Sequence, residues 1–292
     1  MKLFLDCYRT SMTQAEAEIA AKYDLLIVNQ DTRPSAVSWL NVIRGIKPSI
    51  KLLAYLIVTE EPGAAPGAGN TILMDRNRWD AAQQEPWLMT PAGDIAAITV
   101  ANWKRKRLFD FRLPVWQQSF KDACAAILSA YPFDGLFFDN CTASWVKHAS
   151  GNPGLSQSLQ SVLLDVRRAY PDKILVGNCV ESWMGLNGEM NEGRIGQIGE
   201  LAPTVGQVVP NMNMYYMVGD ASTTDAEITA VYQQVKQLDG WCGLHRTDAA
   251  IHWPALFDTL DSLPAVRARQ SIGALCGHVF HGPCGQWGGV MR

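Results

Sequence analysis

Short, nearly continuous apolar runs recur along this chain, most closing on an acid or an amide and most giving way to a stretch with helical period. "KLFLDC" meets Asp6, "DLLIVNQ" meets Asn29, and "IKLLAYLIV" leads to Glu60. "RLFDFR" contains Asp110, "FDGLFFDN" ends on Asp139 and Asn140, "KILVGN" on Asn178, and "GEMNEG" holds Glu192. "MNMYYMV" reads as an eighth run. Between them, Thr13 and Glu16 form a capping box for a helix through Tyr23, and Pro34 to Ile46 is a second helix. Pro114 opens a third, on which Trp116, Phe120, Ala123, Ile127 and Tyr131 recur; Leu155, Leu159, Val162, Val166 and Tyr170 mark a fourth, and Asp225 to Leu238 a fifth. Strands apolar on both faces belong to a parallel sheet covered by helices. Eight of them in 292 residues suit a closed (β/α)8 barrel better than an open sheet. "WCGLHR" and "GHVFHG" are also strand-like, so the count overshoots near the end.

No linker or change of composition splits residues 1–292, which predicts a single domain. The long excursion over 59–102, with "EPGAAPGAG" and "RWDAAQQEPWLMTPAGD", reads as a lid. At 48% hydrophobic and 18% charged residues the chain can bury a large core. Its net charge of -3 gives no electrostatic reason to expect nucleic acid or an anionic membrane as partner. "KRKR", Lys104 to Arg107, is expected to be a solvated loop, and "PGAAPGAGN" lacks the Gly-Lys-Ser/Thr of a phosphate cradle. Seven cysteines, an odd number, are expected to be reduced and mostly buried. "CGHVFHGPC" lacks the close Cys or His pairs of zinc sites, so neither metal nor cofactor is expected. The opening "MKLFLDCYRT" lacks the apolar core of a secretory signal, and no run approaches a membrane span. The expectation is a soluble chain, cytoplasmic as synthesised, and phage-associated or extracellular in its action.

In a barrel of this type the chemistry sits where the strands end. A carboxylate at a buried tip is costly unless it is paired or used, and a ring of them points to a site. The competing explanation is local: such acids also cap the next helix or bind arginine, and Arg9, Arg112 and Asn140 stand close enough. Other barrel chemistries lose their key residues. The first tip reads "LDCY" rather than His-x-His, and Lys173 begins its strand instead of ending it. Among ten tryptophans, Trp39 and Trp116 fit core positions on helices. Trp79, Trp87, Trp103, Trp145 and Trp183 fall in loops after strands and are candidate ligand platforms.

The segment "WLMTPAGDIAAITVANWKRKRLFDFRLPVWQQSFKDACAAILSAYPFDGLFFDN", with "VGN" and "NGEMNEG" following, resembles TIM-barrel glycoside hydrolases related to the endo-α-1,4-polygalactosaminidases. The resemblance runs from about Tyr55 to Glu192 and implies an endo-acting glycosidase whose partner is a polysaccharide or oligosaccharide. The expected substrate is a microbial exopolysaccharide or capsule, amino-sugar containing. The resemblance gives the catalytic pair as Asp139 and Glu192, with Asn187-Gly188 standing where the family shows Asp-Gly, and Glu189 and Glu181 as rival acids. On that basis Asp139 is the nucleophile, kept ionised by Asn140 and Asn178, and Glu192 the acid and then the base. Asp6 and Asp110 are expected to hold sugar hydroxyls, and Tyr55, Trp183 and Tyr215 to offer stacking faces. Retention of configuration follows from the resemblance alone. A non-catalytic glycan-binding barrel and a different barrel hydrolase are the rival readings.

Overall fold

A computed structural model describes residues 2–7, 12–29, 34–60, 85–98, 106–141, 153–178, 180, 184–194, 212–219, 224–237 and 239–246. In chain order the elements are β1 (Lys2–Cys7), α1 (Gln14–Ala20), β2 (Leu25–Asn29), α2 (Pro34–Ile46), β3 (Lys51–Ile57), β4 (Ala97–Ile98) and β5 (Lys106–Arg107). There follow α3 (Pro114–Ala130), β6 (Gly135–Asp139), α4 (Leu155–Ala169), β7 (Ile174–Asn178), β8 (Gly188–Arg194), β9 (Asn213–Gly219), α5 (Asp225–Gln237) and β10 (Trp241–Arg246). Strands β1, β2, β3, β6, β7, β8, β9 and β10 close into one parallel barrel, with β10 pairing back onto β1. This is the expected (β/α)8 barrel.

Two strand assignments differ from the sequence reading. "RLFDFR" is not a barrel strand: β3 pairs directly with β6, Leu53 with Gly135 through Ile57 with Asp139. The backbone N–H groups of this run are taken elsewhere, Leu108 by Ala96 O, Phe109 by Thr59 O and Asp110 by Pro86 O. The run therefore braces a small antiparallel appendage, in which β4 pairs with β5 and single bridges join Glu60 to Leu108 and Trp87 to Phe109. "WCGLHR" takes the vacant place as β10, while "GHVFHG" lies outside the described residues. Helix α1 keeps its predicted capping box but ends at Ala20. Tighter turn bonds, Lys22 N to Ile19 O and Tyr23 N to Ala20 O, then swing Tyr23 into the core.

The start of three barrel strands repeats one device. The residue just before β2, Asp24, accepts Leu3 N of β1 and Lys47 Nζ. Asp134 before β6 accepts Leu52 N of β3 at 2.8 Å and Arg44 Nη2 at 2.7 Å. Asn187 before β8 accepts Leu175 N of β7 and Arg167 Nη2. Each side chain satisfies an otherwise orphaned N–H at the bottom of the barrel and ties it to a helix or the loop after one. Two of the three are followed by glycine for a steric reason. A Cβ on Gly135 would lie 1.7 Å from Ile174 O, and one on Gly188 would lie 2.4 Å from Met212 O. The "DG" and "NG" pairs are thus architectural, and asparagine serves as well as aspartate because only an acceptor oxygen is needed.

Strand alternation sorts the core into two layers. Phe4, Leu25, Ile27, Leu53, Tyr55, Ile57, Phe137, Val176, Met190 and Met214 fill the barrel. Residues of the opposite parity, among them Leu26, Val28, Leu52, Leu56, Phe138 and Leu175, pack under the helices with Trp39, Trp116 and Phe120. The interior is tight: Phe4 lies across Gly243 of β10, where a Cβ would stand 2.6 Å from its ring. The tips of β3, β6 and β7 then lie side by side above this filled interior.

Candidate active site

Asp139 ends β6 on the inward parity set by Phe137, so its carboxylate stands at the mouth of the barrel, half-buried. Three donors meet it. Asn140 N and Asn178 Nδ2 each reach Oδ1 at 2.9 Å, and the Tyr55 hydroxyl donates to Oδ2. The donors come from β3, from the turn after β6 and from β7, and strand register brings them together: Ile57 pairs with Asp139 and Phe138 with Gly177. The tips are also laced by backbone bonds, Val58 N to Asp139 O and Cys141 N to Asn178 O.

Burial, and after it the negative charge of Asp139, push the Tyr55 phenol well above its ordinary range, with Asp6 and Glu60 adding to the effect. Tyr55 therefore keeps its proton and remains a donor. Its ring is stacked on Phe137 at 5.9 Å and is almost fully covered. The sequence reading of Tyr55 as a sugar platform is corrected: an inward position one step below the tip leaves only its hydroxyl near the site. Asp6, on the inward parity of Phe4, is buried within electrostatic range of that hydroxyl.

Next to this cluster lies Glu60, 2% exposed. Its Oε1 accepts Asn140 Nδ2 at 2.7 Å and its Oε2 accepts the Thr59 hydroxyl. Sequence reasoning counted Glu60 among the strand tips but gave it no role. The signal was its place beyond a buried strand; what the linear chain hid was the contact with a residue eighty positions away.

Strand β8 carries the candidate acids. Met190 belongs to the barrel interior and pairs with Asn178, the residue bonded to Asp139. The two-residue period places position 192 on the same face as Met190, one inward step nearer the mouth. Position 189 has the opposite parity. Glu189 is buried outside the barrel beside Tyr215, where burial and the Glu189 charge push the Tyr215 phenol up. Glu181 lies outside the described residues, as do Trp183, Trp79, Trp103 and Trp145.

Several other predicted residues stand away from the cluster. Asp110 is not at a barrel tip, and its carboxylate is forked by Arg112, Nε to Oδ1 at 2.8 Å and Nη2 to Oδ2 at 2.6 Å. That ion pair is the local role sequence reasoning weighed against a site, and it replaces the sugar-holding role. Trp87 is packed between Phe109, ring centres 5.3 Å apart, and the Arg107 guanidinium at 3.8 Å. It is a buried brace of the appendage, not an open platform. Tyr215 lies in the outer core layer, 1% exposed, because its parity is opposite to that of Met214. On β9 the inward register position is 216, paired with 192 on one side and 243 on the other. Of the excursion expected to act as a lid, 61–84 and 99–102 lie outside the described residues. Among the described residues, no helix is long and apolar enough to cross a membrane.

No protein-family model and no curated protein matches the chain. Its fold is similar to several solved structures. The glycoside hydrolase domain of PelA from Pseudomonas aeruginosa superposes with a TM-score of 0.55 at 15% identity, covering 86% of this chain and 96% of that one. Ega3 from Aspergillus fumigatus, in complex with galactosamine, gives 0.51 at 10% identity over 85% and 92%. The α-galactosidase TtGalA from Thermus thermophilus, in complex with stachyose, gives 0.56 at 11% identity over 89% of this chain and 64% of that one. The likeness is one of fold, a TIM barrel.

Proposed function

We propose that this chain is a glycoside hydrolase that cleaves a polysaccharide through Asp139 and Glu192. The observation that carries the reading is the triple-donor cradle around a half-buried carboxylate at the mouth of the barrel. The fold likeness to the glycoside hydrolase domain of PelA and to Ega3 supports it, and the galactosamine in the Ega3 structure favours an amino-sugar polymer.

Glycoside cleavage needs one carboxylate to meet the developing positive charge at the anomeric carbon and one acid to protonate the leaving oxygen. Asp139 suits the first role. Both lone-pair directions of Oδ1 are taken by Asn140 N and Asn178 Nδ2, whereas among the described residues Oδ2 accepts only the Tyr55 hydroxyl. Oδ2 is therefore the attacking oxygen. The three donors fix the carboxylate plane, so little reorganisation remains for the reaction itself. The C–O bond to Asp139 forms as the bond to the leaving sugar breaks, and Glu192 delivers the proton to that sugar. Water, deprotonated by Glu192, then releases the glycosyl group and restores the carboxylate.

Strands β6 and β8 are two places apart, roughly 9–10 Å across a sheet. With position 192 a step nearer the mouth, a glutamate has the length to reach over a sugar bound at Asp139. Retention requires a carboxylate separation of about 5–5.5 Å and inversion about 6.5–9.5 Å. We assign retention, in keeping with the nucleophile role of Asp139.

The test separates cleavage from binding. Reducing-end release from a panel of bacterial and fungal polysaccharides, de-N-acetylated galactosamine polymers included, is measured for the parent, Asp139→Asn and Glu192→Ala. Cleavage by the parent, lost in both variants with affinity kept within a few-fold, supports the reading. Affinity without cleavage in the parent identifies a glycan-binding barrel instead.

A further inference from the structure

Building on the reading of Asp139 as nucleophile, we infer that Glu60 is a positioning residue, which holds Asn140 in a left-handed turn and so keeps the Asn140 N–H on Asp139 Oδ1. Asn140 has φ 52°, a conformation in which an L side chain is strained and which asparagine tolerates better than most. The turn puts its N–H on Asp139 at 2.9 Å and its Nδ2 on Glu60 Oε1 at 2.7 Å. One residue thus links the two carboxylates, with its backbone on the first and its side chain on the second.

Glu60 is itself fixed. The Thr59 hydroxyl occupies Oε2, Phe109 N donates to Thr59 O at 3.0 Å, and residue 60 bridges Leu108. The appendage around Trp87 and Phe109 therefore reaches the reacting carboxylate through Glu60 and Asn140. This gives the run misread as a fourth barrel strand a role: it braces the residue that sets the nucleophile. A buried carboxylate accepting a side-chain amide forms a strong, directional bond, well suited to hold a strained turn.

The experiment is a double-mutant cycle between positions 60 and 140, with amide exchange as an independent readout. Glycine adopts the left-handed turn without help, so Asn140→Gly makes the turn independent of Glu60. Glu60→Ala alone is expected to lower kcat about 10- to 100-fold with KM nearly unchanged. In the Asn140→Gly background the same change is expected to cost less than about threefold. Glu60→Gln, which keeps the acceptor oxygen, should recover most of the loss. Hydrogen exchange at the Asn140 amide should quicken at least about tenfold in Glu60→Ala and stay near the parent rate in Glu60→Gln.

Equal losses from Glu60→Ala in both backgrounds, or an unchanged Asn140 exchange rate in a folded Glu60→Ala, overturn the inference. If Glu60→Ala does not fold, Glu60→Asp withdraws the carboxylate by one methylene and is read in the same way. A parent without glycosidase activity defeats the functional reading, and the exchange rates still decide the role of Glu60.

Discussion

At the residue scale, each side chain in the cluster is defined by which way its strand position points. Asp139 and Asn178 carry the polar ends that the sequence displays, and their neighbours give them meaning. Tyr55 is the clearest case, since an aromatic residue chosen as a sugar platform contributes only its hydroxyl. Tyr55→Phe is expected to lower kcat roughly ten- to hundredfold, the value of one hydrogen bond to a charged group, with a parent-like melting temperature. Steady-state kinetics with KM resolved from kcat checks this. A second contrast lies on β9. The Tyr215 hydroxyl is buried with no hydrogen-bond partner among the described residues. Tyr215→Phe should therefore leave thermal stability unchanged or raised, while Tyr215→Ala should cost about 3–5 kcal/mol.

At the element scale, helices were legible and strands less so. Pro34 to Ile46 and the helix opened by Pro114 fall where their periodicity and proline placed them, because a long amphipathic face and a first-turn proline are local signals. "RLFDFR" failed for a physical reason: a short apolar run can pair in any sheet, and partners such as Thr59 O and Pro86 O are invisible along the chain. "WCGLHR" takes its place in the barrel as β10, where Gly243 leaves room for the Phe4 ring across the seam with β1. The "DG" before β6 lies in the segment that carries the resemblance, and its work is at the end of the strand opposite Asp139. Gly135→Ala drives a Cβ into the Ile174 carbonyl and should destabilise by about 3 kcal/mol or more. Asp134→Ala should also destabilise, by about 1–3 kcal/mol, since it strands Leu52 N and loosens Arg44. Chemical denaturation measures both, and neither change should alter KM in the folded fraction.

At the scale of the whole molecule, parallel closure converts eight linear segments into one mouth, and two rules order the positions around it. Strand parity puts positions 192 and 216 on the inward face and 189 and 215 on the outer one, and register sets Asp139 level with Ile57 and Asn178 one strand on. Neither rule was applied in reading the sequence, although both were available to it once the strands were placed. What the sequence could not supply is the antiparallel appendage and its grip on Glu60, because that depends on contacts between loops. The most direct test of the account is to mix a Glu192→Gln variant with an activated glycoside of the cleaved polymer, quench, and map the protein by mass spectrometry. The account predicts one sugar unit esterified to the peptide containing Asp139; full cleavage by Asp139→Asn, with no adduct on that peptide in the Glu192→Gln variant, contradicts it.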